Sequence, residues 1–181
     1  MITFFLNDQP VRTAEPAASA LLDFVRYHEH LMGTKIGCRE GDCEACTVLV
    51  GELSADGQRV VYQSMTSCLT PLGNAHGKHV VTVEGINRAG GQLTPVQRAI
   101  VDAGGAQCGF CTVGFVMSLT GHGLSGRAPS EKSALAAIDG NICRCTGSHE
   151  KAREAGARPH GRHAHDRQAP PVFVRLQNRI E

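Results

Sequence analysis

Residues 37–50 read GCREGDCEACTVLV: three cysteines on a loop rich in glycine and acid, then at once an apolar, β-branched run. Cys38, Cys43 and Cys46 are spaced C-x4-C-x2-C, and Cys68 follows after a further 21 residues. Three chemistries collect thiols in this way: a disulfide staple, a zinc site or an iron–sulfur cluster. The rest of the chain has to choose between them.

The flanks of the loop read as a small sheet crossed by one helix. ITFFLN is a strand, ND a turn and PVRT the returning strand. SALLDFVRYHEHLM sets Leu21, Leu22, Phe24, Val25, Leu31 and Met32 along one helical stripe, with Ser19 as its N-cap. CTVLVGEL, RVVYQS and HVVTVEG add three β-branched strands, so a first unit is expected over residues 1–86. The glycines in IGCREGDC are expected to let backbone N–H groups bend close around sulfur.

The character changes after that. TPVQRAIVDAG opens with Thr94 as N-cap, Pro95 in the first helical position and Gln97 closing a capping box. VGFVMSLTGHGL is an apolar helical segment beginning just after Cys111. SEKSALAAIDG is expected to start at Ser130 and stop at Gly140. A second quartet frames these helices: Cys108 and Cys111 before one, Cys143 and Cys145 after another, spaced C-x2-C-x31-C-x-C. A bundle of helices can bring these two pairs together.

All eight cysteines are thereby used. The first quartet has the spacing of plant-type [2Fe–2S] loops, and four thiolates are the complement of one such cluster. Zinc is the competing reading, since C-x2-C is also a zinc spacing. It is disfavoured by three ligands crowded on one loop and by the tight C-x-C. A Rieske centre needs two histidines in place of cysteines, and both quartets are complete.

Composition narrows the class further. The 181 residues carry a net charge of +1, which gives no general case for nucleic acid or an anionic membrane. No stretch approaches the roughly 18 apolar residues of a membrane helix, and MITFFLNDQP lacks the features of a signal peptide. A cytoplasmic protein is expected, where thiols serve metals rather than disulfides.

With both quartets in view, GCREGDCEACTVLVGEL, TSCLTPLGNAHGKHVVTVEGIN, LTPVQRAIVDAGGAQCGFCTVGF and AIDGNICRCTG resemble, in this order, the iron–sulfur part of the xanthine dehydrogenase family, a branch of the molybdenum hydroxylases. The resemblance covers about residues 1–147. It implies an α+β chain: a plant-ferredoxin-like β-grasp domain followed by a four-helix bundle domain over 87–155, each with one [2Fe–2S] cluster. Cys108, Cys111, Cys143 and Cys145 would ligate the cluster nearer molybdenum; Cys38, Cys43, Cys46 and Cys68 would ligate the one nearer flavin. Gln107 matches a glutamine that contacts the pterin, and Cys145 the ligand closest to it. Molybdopterin and FAD are implied on partner chains, a molybdopterin-binding large subunit and an FAD-binding subunit or domain. No catalytic residue is expected on this chain, whose task would be electron relay. The long connection ELSADGQRVVYQSMT and TSCLTPLGN look like the small subunit of bacterial xanthine dehydrogenases, whereas members acting on aldehydes or N-heterocycles are the alternative.

Three departures stand out. Glu44 occupies a position where the family usually has glycine, and its side chain is expected to point to solvent. Val113 replaces a frequent proline. After Gly147 the expected aromatic residue and apolar helix give way to SHEKAREA, a further helical piece, and then to a stretch rich in His, Arg and Pro. Residues 1–150 carry a net charge of −3 and 151–181 a net of +4. Residues 156–181 read as a disordered basic tail in which His160, His163 and His165 are solvated. The FAD domain is expected on a separate subunit, or the chain is a truncated copy altered near residue 148; the abrupt charge change favours the second.

Overall fold

In the computed structural model, residues 1–87, 92–126 and 130–146 are described. The basic tail and the SHEKAREA segment expected from the sequence lie outside them.

Alternating residues build the first half. Strands β1 (Ile2–Leu6) and β2 (Gln9–Thr13) form a hairpin, and β1 also runs parallel to β5 (His79–Val81). β3 (Thr47–Leu53) lies antiparallel to both β5 and β4 (Val60–Thr66), giving the order β2-β1-β5-β3-β4. Ile2, Phe4 and Leu6 alternate onto one face with Val48, Val50 and Val80, where Leu21, Phe24, Val25 and Leu72 cover them. Phe4, Leu21, Val25, Val48, Leu72 and Val80 are fully buried, each contributing about 1.5–3 kcal/mol of apolar transfer.

The covering helix is shorter than its sequence stripe. Helix α1 spans only Leu21–Asp23 and runs on as a π turn over Phe24–His28. Ala20, rather than Ser19, is its N-cap, because Ala20 is bridged to Pro71. The N–H groups of Leu21 and Leu22 donate to the carbonyls of Thr70 (2.8 Å) and Ser67 (3.1 Å), so no side-chain cap is needed. His30, at φ 56°, then turns the chain before the expected end at Met32.

The second half contributes three α-helices among the described residues: α2 (Pro95–Asp102), α3 (Thr112–Leu124) and α4 (Glu131–Ala137). The capping box expected at Thr94 is present: the Gln97 N–H donates to the Thr94 hydroxyl at 3.3 Å and the Thr94 N–H to the Gln97 side chain at 2.8 Å. Ser130 caps α4 as expected, with Ser133 as its reciprocal partner. The expected stop at Gly140 is corrected: α4 ends at Ala137, and Gly140 is not in a left-handed conformation.

Helix α3 is buried nearly all round. Phe115, Val116 and Leu119 pack with Val96, Ala99, Ile100, Ala134 and Ile138, while Met117 reaches Leu49 and Val81 on the second face of the sheet. Val113 packs against the same group. Gly114, Ser118 and Gly121 recur at helical spacing as a small-residue stripe, the first two facing Glu44 of the cysteine loop and Gly121 facing Leu49 and Ser64 of the sheet. A Cβ on Gly121 would stand 3.0 Å from Leu49 Cδ2, so the helix approaches closely because that atom is missing. The two halves therefore share a packed seam. Among the described residues, no helix is long and apolar enough to cross a membrane.

Candidate metal centres

The first cysteine loop doubles back through three left-handed positions: Arg39 (φ 63°), Gly41 (φ 86°) and Glu44 (φ 52°). Only one of the three is glycine. Gly37 serves differently from the bending role expected of it, since a Cβ there would stand 2.5 Å from Cys43 Sγ. Cys46 leads directly into β3, and Cys68 lies in the turn after β4. Ser67 joins the two, its hydroxyl donating to the Cys46 carbonyl at 2.7 Å.

The thiols pair off. Cys43 neighbours Cys38, whose thiol is held down to about 7, chiefly by the Glu40 N–H, which points at its sulfur from 3.4 Å. Cys68 neighbours Cys46, whose thiol is pushed up to about 11 by burial at 2% exposure.

The second quartet is built the same way. Cys108 and Cys145, both exposed, bring their sulfurs within 3.7 Å of each other. Cys111 and Cys143 meet at the edge of the helical core. Burial works against ionisation of Cys143, but the Thr146 N–H donates to its sulfur (3.4 Å), the Thr146 hydroxyl bonds the same sulfur (3.3 Å), and the thiol is lowered to about 6. The Phe110 N–H lowers Cys108 in turn. Gln107 is exposed directly before Cys108.

Each quartet so resolves into two thiol pairs, the arrangement that four-cysteine ligation of two irons requires. Among the described residues, no three His, Cys, Asp or Glu side chains converge as ligands of a single ion. A two-iron cluster does not require such convergence, because its two irons divide the four thiolates. The space left beside Cys43 by Gly37 and the N–H groups aimed at Cys38 and Cys143 fit anionic sulfur ligands.

Residues 4–73 match the 2Fe-2S iron-sulfur cluster binding domain and residues 82–155 the [2Fe-2S] binding domain. A xanthine dehydrogenase of Blastobotrys adeninivorans is 43% identical over 150 residues, covering 81% of this chain and 10% of its own length. The chain belongs to the iron–sulfur part of the xanthine dehydrogenase family. Aldehyde oxidase 3 of Mus musculus, at 41% identity over 148 residues, is a further member, covered over 11% of its length. The chain thus spans about a tenth of the curated relatives it matches. Among solved structures, quinoline 2-oxidoreductase from Pseudomonas putida 86 superposes with a TM-score of 0.72 at 29% identity, covering 98% of this chain and 95% of that one. The aldehyde oxidoreductase of Desulfovibrio desulfuricans ATCC 27774 gives 0.72 at 32% identity, over 86% of this chain and 17% of that one. The family carries the α+β, ferredoxin-like expectation and two [2Fe–2S] domains, and it displaces the zinc reading.

The seam between the loops was not legible in the sequence. Glu44 does not point to solvent: it is half-buried against the helical half, and burial raises its carboxyl above the usual range. Phe110, from the second cysteine loop, brings its ring edge over Gly37, where a Cβ would lie 3.7 Å from Cε1. The Ile142 N–H faces the Cys43 carbonyl at 3.4 Å. The one signal available was the small-residue spacing of Gly114, Ser118 and Gly121.

Proposed function

We propose that this chain is the electron-transfer part of a xanthine dehydrogenase-type molybdenum hydroxylase and performs no bond-making chemistry itself. Cys108, Cys111, Cys143 and Cys145 hold one [2Fe–2S] cluster, and Cys38, Cys43, Cys46 and Cys68 hold the other. When bound, each cluster supplies a one-electron carrier, with a potential of about −400 mV for plant-type centres. The observation that carries this reading is the gathering of both quartets into thiol pairs on loops that touch each other through Ile142 and Cys43.

The exposed edge at Gln107, Cys108 and Cys145 faces a molybdopterin-binding large subunit, with Gln107 and Cys145 next to the pterin. The rim of the first quartet would meet an FAD-binding subunit or domain, and the two clusters would supply a relay from the second quartet to the first, as the family resemblance implies. The two units divide near residue 86. Eight cysteines, none in a disulfide, suit a reducing, cytoplasmic setting.

Purine oxidation by the whole complex is supported by the identity to xanthine dehydrogenases. A specific observation favours an N-heterocycle as the second reading: the likeness to quinoline 2-oxidoreductase extends over 95% of that chain.

The test is anaerobic purification with iron, zinc and labile-sulfide analysis and EPR of the dithionite-reduced protein. About four iron and four sulfide per chain with two distinct signals are expected. Zinc without labile sulfide would end the electron-transfer reading. Copurification with a pterin-bearing chain, then a screen of purines, aldehydes and quinolines, separates the substrate classes.

A further inference from the structure

Glu44 sits in a left-handed conformation between Cys43 and Cys46, where glycine is the low-strain choice. Its side chain leaves the first cysteine loop and enters a notch on the helical half formed by Ser118 and Gly140, while Gly114 makes room for its backbone carbonyl. The fit exists because both glycines lack a Cβ. On Gly140 that atom would stand 2.7 Å from Glu44 Cδ; on Gly114 it would stand 3.1 Å from the Glu44 carbonyl carbon and 2.9 Å from Asn141 Nδ2. Ser118 donates its hydroxyl to Glu44 Oε2 at 3.4 Å. From the sheet side, the Thr47 N–H (3.2 Å) and hydroxyl (2.7 Å) both bond the Glu44 carbonyl. The residue is thus gripped from both halves at once. Two further contacts, Ile142 to Cys43 and Phe110 over Gly37, close the same seam.

We propose that Glu44 is a positioning residue: a key that seats the Cys43–Cys46 loop against Gly114 and in the Ser118/Gly140 notch, so that loading of the first quartet depends on the helical half. Gly140 and Gly114 are the matching lock. The loading consequence rests on the two-cluster reading above; the seat itself does not.

The experiment uses the full chain and the variants Gly140→Ala, Glu44→Gly, Gly140→Ala/Glu44→Gly and Gly140→Ala/Glu44→Gln, loaded anaerobically and read by iron content and EPR. The signal lost in Cys68→Ser marks the first quartet. Gly140→Ala is expected to weaken that signal and to lower iron from about four towards about two per chain. Adding Glu44→Gly removes the clashing side chain and brings both back to the level of Glu44→Gly alone, which lies below the unmodified chain because the seat is lost. Adding Glu44→Gln keeps its shape and does not. Disturbance of the second-quartet signal alone, or no rescue by Glu44→Gly, overturns the proposal. A second readout needs no iron: in thermal unfolding of the cluster-free chain, Gly140→Ala and Glu44→Gly must be non-additive. Additivity there overturns the seat. An unmodified chain without iron or labile sulfide instead overturns the two-cluster reading and the loading dependence, while the unfolding cycle still decides the seat.

Discussion

Tyr62 donates its hydroxyl to Nδ1 of His79 at 2.7 Å, and Nε2 of the same ring donates to the Asn7 carbonyl at 2.6 Å. A carbonyl only accepts, so Nε2 carries the proton and Nδ1 is the acceptor. It is burial between strand β5 and its neighbours that favours this neutral ring over the cation. Burial pushes its pKa below the ordinary 6.5, outweighing the Asn7 carbonyl and Asp8, which favour the cation. Burial likewise pushes Tyr62 up to about 12.

Acid should destabilise the sheet through this histidine. The unfolded chain binds a proton near the ordinary value of 6.5, the folded chain only at lower pH. Between those two values the unfolded state holds more protons, so stability rises with pH, by at most about 1.4 kcal/mol per unit. The contribution is complete above about pH 6.5 and is lost as pH falls through the window. Urea unfolding at several pH values should show a shallower acid slope in His79→Phe than in the unmodified chain. An unchanged slope would place the acid sensitivity on another group.

Gly51 answers to the same ring pair. It lies opposite Tyr62 across the β3–β4 ladder, and a Cβ there would stand 2.6 Å from both Tyr62 Cε1 and Val60 Cγ1. Gly51→Ala should displace the Tyr62 ring, loosen its bond to His79 and cost about 1–3 kcal/mol of stability. Chemical denaturation measures that cost, and a variant as stable as the parent would show that the ring yields freely.

In the cluster-free chain the eight thiols should differ in reactivity. Cys38 is held at about 7, mainly by the Glu40 N–H, and Cys143 at about 6 despite burial, through Thr146. Cys108 and Cys145 are exposed. Cys46 is buried and pushed up to about 11. Timed alkylation near pH 7.5 should label Cys46 last, about a hundredfold or more behind Cys38 and Cys143, because only the thiolate reacts. Peptide mass spectrometry gives the order, and early labelling of Cys46 would mean that its loop opens without the cluster.

What could be read in advance, and what could not, follows the range of the interactions. The Thr94–Gln97 box was legible because its bonds close within three residues. The two [2Fe–2S] domains were legible because cysteine spacing is written directly in the chain. The cap at Ala20 was not: its reason is a bridge to Pro71. Glu44 was misplaced because its hydroxyl partner, Ser118, lies 74 residues away. Gly140 looked like a helix stop for the same reason, since the side chain that needs its missing Cβ comes from the other half of the molecule.

Thr146 offers a direct test of how the second quartet is tuned. In the ligand role proposed for it, Cys143 is a thiolate that can only accept, which makes the Thr146 hydroxyl at 3.3 Å the donor. Hydrogen bonds to sulfur favour the reduced cluster, which carries one more negative charge, and so raise its potential. Thr146→Val keeps the side-chain shape and the backbone N–H bond but deletes the hydroxyl. A bond worth about 0.5–1.5 kcal/mol corresponds to about 20–65 mV in a one-electron couple, where 59 mV is a tenfold change. The second-quartet signal in an EPR redox titration should therefore move downward by that amount while the first-quartet midpoint stays in place. A shift of both midpoints would mean that the variant disturbs the shared seam rather than one hydrogen bond.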